Sequence, residues 1–484
     1  MSASRPIFQR RWFYPSLLIV AVGLYAWAVY EPPPGQFDSE YIGSGECKAC
    51  HTQIYPLWKR SPHANIARRA TSDSVIGQFD NHQWFLPENV RRSTLDNKPA
   101  ARMYQQDGDY YMALRQPDSA AYTPFKIEYV IGYQYRQTYL TRETGGVLRR
   151  LPLQWSPLRN EFFPYWNEQE KSPPSSTDLW AQMRTQNSAW NLFCARCHTT
   201  HLEILDKDVY HTRADTRWVE EGIACEACHG PGSNHRDYFA SNYVNRIIAF
   251  LDSKLRDEPV AYMVNARKLD KGQATSVCGR CHGADIFAQN QDLYRLYEPG
   301  RSREGRINDL SDYYRQAPLT PGRDTPTVEV WDDGEPKGIG MLFRSFVESS
   351  CFQQAEVRCY DCHNPHDNKM PTEVGILKPS EISNQYCLKC HQALATKVAE
   401  HTRHTPGESG SYCYDCHMPK TIFKLASGVE QYARTHKMST IPNPLQTLRH
   451  GMEGSPNACN QCHSNRDPAW SLSIMQQWQD QSAL

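Results

Sequence analysis

Eight segments of this 484-residue chain carry two cysteines separated by two residues and followed at once by a histidine. They are Cys47, Cys50 and His51; Cys194, Cys197 and His198; Cys225, Cys228 and His229; Cys278, Cys281 and His282; Cys359, Cys362 and His363; Cys387, Cys390 and His391; Cys413, Cys416 and His417; and Cys459, Cys462 and His463. C-x-x-C-H is the attachment signature of haem c. One short helical turn offers two thiols to the two vinyl groups of a porphyrin and the adjacent imidazole to its iron from the same side. Eight covalently attached haems c are therefore expected. Zinc sites use C-x-x-C pairs but do not require histidine directly after every pair. A disulfide framework belongs to short secreted chains, and the cysteine runs of iron–sulfur proteins are absent. The seventeenth cysteine, Cys351, reads as a small buried or surface residue.

The sixth position of each iron separates an electron carrier from a catalyst. Ten histidines lie outside the motifs: His63, His82, His201, His211, His235, His366, His401, His404, His436 and His450. His235, in His229-Gly230-Pro231-Gly232-Ser233-Asn234-His235, and His366, in His363-Asn364-Pro365-His366, sit in short turns directly after a motif, which fixes their reach. They lead the candidate distal ligands, with His63, His404 and His436 next. The other five rank lower, because a lone histidine is more often a surface or satisfied core residue. Fewer ranked ligands than irons leaves one or more irons open. No motif has lysine in place of its histidine.

The elements that must position these groups are set by composition and spacing. With 53 Lys+Arg against 53 Asp+Glu the chain lacks the basic footprint of a nucleic-acid binder. Its 39% hydrophobic content is low for the length, so something other than side chains fills part of the interior. Trp12 to Tyr30 holds no charge, with Arg5, Arg10 and Arg11 before it and Glu31-Pro32-Pro33-Pro34 after it. That length matches a bilayer span and the arginines set its orientation. The expectation is one N-terminal transmembrane helix over 12–30, anchoring the rest to the periplasmic side of the inner membrane. The alternative is a signal peptide cleaved near Ala26-Trp27-Ala28 and a periplasmic chain.

Residues 1–35 then read as anchor (or signal peptide) and stem, and 36–75 as the first haem segment. A β-rich insertion is expected over 76–165, where Arg102 to Leu114 alternates around Asp107-Gly108. Residues 166–300 carry motifs two to four, 301–345 a proline- and glycine-rich extended connection, and 346–484 the last four motifs. Seven motifs share the 270 residues from Cys194 to His463, which leaves little room for sheet. The expected fold class is mainly α and haem-cored with low regular secondary structure, plus a small β-rich insertion and the N-terminal transmembrane helix.

Tyr41-Ile42-Gly43-Ser44-Gly45-Glu46-Cys47 through His51, followed by Trp58 and Ser61-Pro62-His63, resembles the opening of cytochrome c-552/c-554-type multihaem proteins. Trp190 to His198, Cys225 to His235 and Pro456 to His463 are similar to further blocks of that group, so the resemblance runs from about residue 41 to about 470. It implies His63, His235, His366 and His436 as distal ligands. It also implies an exported electron carrier, with octahaem relatives that include enzymes acting on nitrite, hydroxylamine or tetrathionate. No appended helical-repeat domain is present, which departs from the commonest pattern.

The function expected is that of an octahaem cytochrome c passing electrons between membrane or periplasmic redox partners. The alternative is an octahaem oxidoreductase acting on a small nitrogen or sulfur compound at one open haem. Nucleic acid is excluded as a partner, and acid–base pairs, phosphate loops and nucleophile triads are too weak to use.

Overall fold

The chain turns helically at the C-x-x-C-H motifs because the last residue reaches back to the first. In four motifs the histidine N–H donates to the carbonyl of the first cysteine: His51 to Cys47 at 2.9 Å, His363 to Cys359 at 2.9 Å, His391 to Cys387 at 2.9 Å and His463 to Cys459 at 2.8 Å. The computed structural model describes residues 7–29, 39–88, 91, 93–134, 136–164, 179–185, 188–255, 263–283, 330–338, 341–367, 381–423, 432–438 and 444–482. The expected stem after Tyr30 and most of the expected connection at 301–345 lie outside the described residues.

Between the first two motifs the chain builds nine strands: β1 (Ala67–Arg69), β2 (His82–Trp84), β3 (Ala101–Gln106), β4 (Asp109–Arg115), β5 (Tyr122–Lys126), β6 (Tyr129–Ile131), β7 (Gln137–Arg142), β8 (Leu148–Ser156) and β9 (Glu161–Pro164). One antiparallel sheet runs β1-β6-β7-β8-β9 and a second β2-β3-β4-β5. Asp107 and Gly108, at φ 53° and 83°, make the two-residue turn between β3 and β4. Both left-handed φ values match the turn that suits the twist of a hairpin. Met103, Met112 and Leu114 of the second sheet and Tyr139, Leu151, Leu153 and Trp155 of the first share one apolar core with Phe79 and Phe162. Phe79 meets Tyr110, Tyr139 and Phe162 edge-on at 5.2–5.7 Å between ring centres.

The five-stranded sheet is buried on its other face as well, where it carries the second motif. Leu148, Leu140, Tyr129 and Ala67 pack with Trp190 and Ala195. Asn191, fully buried, accepts from Leu148 N at 2.9 Å and donates to Thr216 Oγ1 at 2.8 Å. Arg149 is buried and bridges four neighbours, with Glu143 at 2.9 Å, Ser188 Oγ at 3.2 Å, His211 O at 2.8 Å and Thr185 O at 3.4 Å.

Two expectations are corrected. The fold is not mainly α with little regular structure: among the described residues helices make up 42% and strands 19%. Besides the two large sheets there are antiparallel pairs Thr199–Thr200 with Glu220–Glu221, Glu203–Lys207 with Ala214–Arg217, and Ile422–Phe423 with Tyr432–Ala433. Strand pairing appears between motifs because short connections returning to a motif helix satisfy their backbone against each other. The expected transmembrane helix is also not supported, since among the described residues no helix is long and apolar enough to cross a membrane. A helix does form at Ile7–Val29, but Arg10 and Arg11 lie inside it and Pro15 interrupts it.

Arg149→Met should strip four neighbours of their buried donor and cost about 2–3 kcal/mol. Urea unfolding followed by tryptophan fluorescence, at unchanged m-value, is the measurement.

Candidate haem sites

Six motif histidines face a second imidazole supplied by another part of the chain. The ring centres are 6.4 Å apart for His51 and His235, 6.4 Å for His282 and His63, and 6.3 Å for His229 and His366. They are 6.2 Å apart for His363 and His436, 6.2 Å for His417 and His401, and 6.1 Å for His463 and His404. Direct ring stacking would bring the centres closer, as it does for Tyr41 and His201 at 3.9 Å. Two imidazoles bound on opposite sides of one metal, with bonds of about 2 Å, place their ring centres about 6.3 Å apart. Each pair thus encloses a gap one metal ion wide, and the donor set is that of a bis-histidine haem iron.

Backbone carbonyls orient these rings. Nδ1 lies 2.6 Å from Val264 O in His229, 2.6 Å from Thr402 O in His404, 3.2 Å from Arg434 O in His436 and 3.4 Å from Pro365 O in His63. A carbonyl only accepts, so Nδ1 carries the proton and Nε2 keeps its lone pair for a metal. Burial, followed by charge repulsion from neighbouring rings, pushes His282 and His436 down to about 4, which holds both rings in the neutral form that ligates.

The remaining motif histidines differ from these six. Among the described residues neither His198 nor His391 faces a second histidine. The His198 ring has its edge to Trp190 at 6.3 Å, and its buried Nδ1 has no hydrogen-bond partner. Burial, then the Arg136 charge, pushes it down to about 4. His391 lies exposed at the end of its turn.

The five histidines ranked first from sequence, His63, His235, His366, His404 and His436, each stand opposite a motif histidine. His401 was ranked with the bystanders and stands opposite His417. Its signal is local: His401 and His404 flank Arg403, whose φ of 57° turns the chain left-handed and sends the two rings to different partners. The other bystanders pack elsewhere, His82 against Phe162 at 5.2 Å, His211 against Phe193 at 5.0 Å and His201 on Tyr41, while His450 is exposed.

Buried polar side chains dock the motifs on one another. Glu226, in the third motif and fully buried, accepts from Ile42 N at 2.9 Å, Gly43 N at 2.7 Å and Gly232 N at 2.8 Å. Burial raises its carboxyl and those three N–H groups oppose the rise. Asn384 accepts from Cys413 N at 2.8 Å and donates to Ser411 O at 3.0 Å, joining the sixth motif to the seventh. Gln461 and the Lys420 backbone exchange two bonds of 3.2 Å, joining the seventh to the eighth. Arg434 donates to Tyr414 O at 2.8 Å, Met418 O at 3.0 Å and Asp415 at 3.0 Å, which fixes the strand leading to His436.

Comparison with known proteins agrees with this geometry. Residues 164–230, which contain the second and third motifs, match the family described as cytochrome c554 and c-prime. Multiheme cytochrome MtrA of Shewanella baltica (strain OS185) is 26% identical over 213 residues, 43% of this chain and 55% of that protein. The chain therefore spans about half the length of this curated relative. The solved structure of outer cell wall cytochrome OcwA superposes with a TM-score of 0.50 at 17% identity, over 92% of this chain and 88% of that one, a likeness of fold. The resemblance to multihaem c cytochromes of the c554 type thus holds, and it supports covalently bound haem c.

Gly410, at φ +90°, packs so closely on His404 that an added Cβ would lie 2.4 Å from its ring. Gly410→Ala should lower stability by about 1–3 kcal/mol and swing His404 away from His463. Gly45→Ala, with nothing within 4 Å of the new atom, is the control. Thermal unfolding of both variants checks the difference.

Proposed function

We propose that this chain is an octahaem c-type cytochrome that carries electrons through closely packed covalent haems on the periplasmic side of a membrane, exchanging them with membrane or periplasmic redox partners. The observation that carries this reading is the set of six imidazole pairs, each open by the width of one metal. In this reading His235, His63, His366, His436, His401 and His404 are the distal ligands opposite His51, His282, His229, His363, His417 and His463. Haem c, when bound, supplies a reversible one-electron iron couple. The chain's own part is to hold two neutral imidazoles in fixed orientation, so that little rearranges between oxidation states. Carbonyls at Nδ1 and packing around the rings do this. Export is supported by the motifs themselves, because haem c is attached to an exported, still unfolded chain.

A second reading is favoured by His198 and His391. An iron with histidine on one side only can take a small ligand, and an oxidoreductase of nitrite, hydroxylamine or tetrathionate would use such a site. The Arg136 charge beside His198 would favour an anion there.

Intact-mass measurement of the full chain matured with haem should show eight haems added to the polypeptide. A lower number at full maturation would refute the octahaem reading. Low-temperature EPR of the oxidised protein should show six-coordinate, low-spin iron at the paired sites. High-spin signals that shift with nitrite or cyanide would move the assignment to the second reading, and a wholly low-spin spectrum unchanged by either would leave the carrier. His436→Ala should convert one low-spin iron to high-spin, whereas His82→Ala should leave the spectrum as it was.

A further inference from the structure

The cysteines of different motifs meet in a definite sequence. The thiols of Cys47 and Cys225 are close neighbours, and the helix Ser44–Cys47 packs on Cys225–His229. Cys228 lies within electrostatic reach of Cys278 and Cys281, and Arg280 of that motif donates to Ala227 O at 3.3 Å. Cys278 and Cys359 are thiol partners, with Tyr360 OH donating to Ala266 O at 3.4 Å beside them. Cys362 lies within electrostatic reach of Cys390 and Cys351. Cys387 and Cys413 are thiol partners, bridged by Asn384. Cys416 faces Cys459 and Cys462, and their helices Cys413–His417 and Ala458–Cys462 pack together.

The imidazole pairs tie these motifs together as well, in places across an intervening site. His235 follows the Cys225 motif and faces His51; His366 follows the Cys359 motif and faces His229. His404, between the Cys387 and Cys413 motifs, faces His463. The Cys194 motif attaches differently. Its Cys197 thiol partners Cys281, and its helix Ala195–His198 packs on Lys271–His282. Cys194 is half-buried within electrostatic reach of Arg136 and Arg150, and the residues next to it pack on the five-stranded sheet.

We propose that the attachment sites form one relay in the spatial order Cys47, Cys225, Cys278, Cys359, Cys387, Cys413, Cys459, with the Cys194 site a spur joined to the relay at Cys278. The order follows the sequence except at the second motif, which the β-structure holds to one side. The two ends are the sites where partners exchange electrons, and Cys50 and Cys462 at those ends are exposed. A spur does not lie between the ends, so an iron there can hold an exogenous ligand while electrons pass from end to end. This inference rests on the reading that the motifs hold haem, and it deepens that reading by giving the path.

Iron positions from anomalous diffraction of the fully haem-loaded chain test it. The expected map has the His51 and His463 irons farthest apart along a single line. The His198 iron stands off that line, with the His282 iron as its nearest neighbour. An His198 iron lying in line between two others, or a line ending at any other site, would overturn the relay. A protein that matures with fewer than eight haems by intact mass instead fails the functional reading, so the two failures are distinguishable.

Discussion

Two imidazoles that must face each other across one metal ion constrain this structure more than any other interaction. The constraint is geometric and unforgiving, because a ring displaced by an ångström would no longer reach a metal bound to its partner. In five of the six pairs the two rings come from segments served by different motifs, and His63 with His282 or His363 with His436 joins parts of the chain far apart in sequence. Such closures remove loop entropy from the unfolded chain much as a metal clip does. They explain how a chain with a modest hydrophobic content settles on one arrangement.

Apolar packing is distributed accordingly. The largest cluster sits between the two β-sheets, around Phe79, Met103, Tyr139 and Phe162. Around the motifs the clusters are small, such as Trp58, Ala64 and Ala224, or Val264, Leu269 and Ala274. What replaces a continuous core there is a set of buried polar joints, Glu226 and Asn384 among them, each satisfying backbone groups of a neighbouring motif segment. A buried group of this kind is costly if left unpaired, so it specifies which motif docks on which.

The β-structure is more than an insertion lying beside the haem sites. Its five-stranded sheet is covered on both faces, by the second sheet and by the Trp190 to Ala195 segment. That second contact holds the Cys194 motif against the sheet, where the partly buried His198 has no imidazole opposite it among the described residues.

The chemistry of this protein was legible in its sequence because covalent attachment needs two thiols and an imidazole within one helical turn, a spacing that survives any tertiary arrangement. The same locality made His235 and His366 readable, since each follows a motif by a few residues, and it placed the hairpin at Asp107-Gly108, where two left-handed φ values are required. His401 escaped that reading because its value lies in a partner, His417, that only folding brings opposite. The sheets were underestimated for a related reason: strand pairing is a non-local contact, and two-residue strands such as Thr199–Thr200 carry no pattern of their own. Spacing along the chain determined which residues hold the cofactor, and tertiary structure decided which motif neighbours which, because that choice is made by buried contacts between segments the sequence keeps apart.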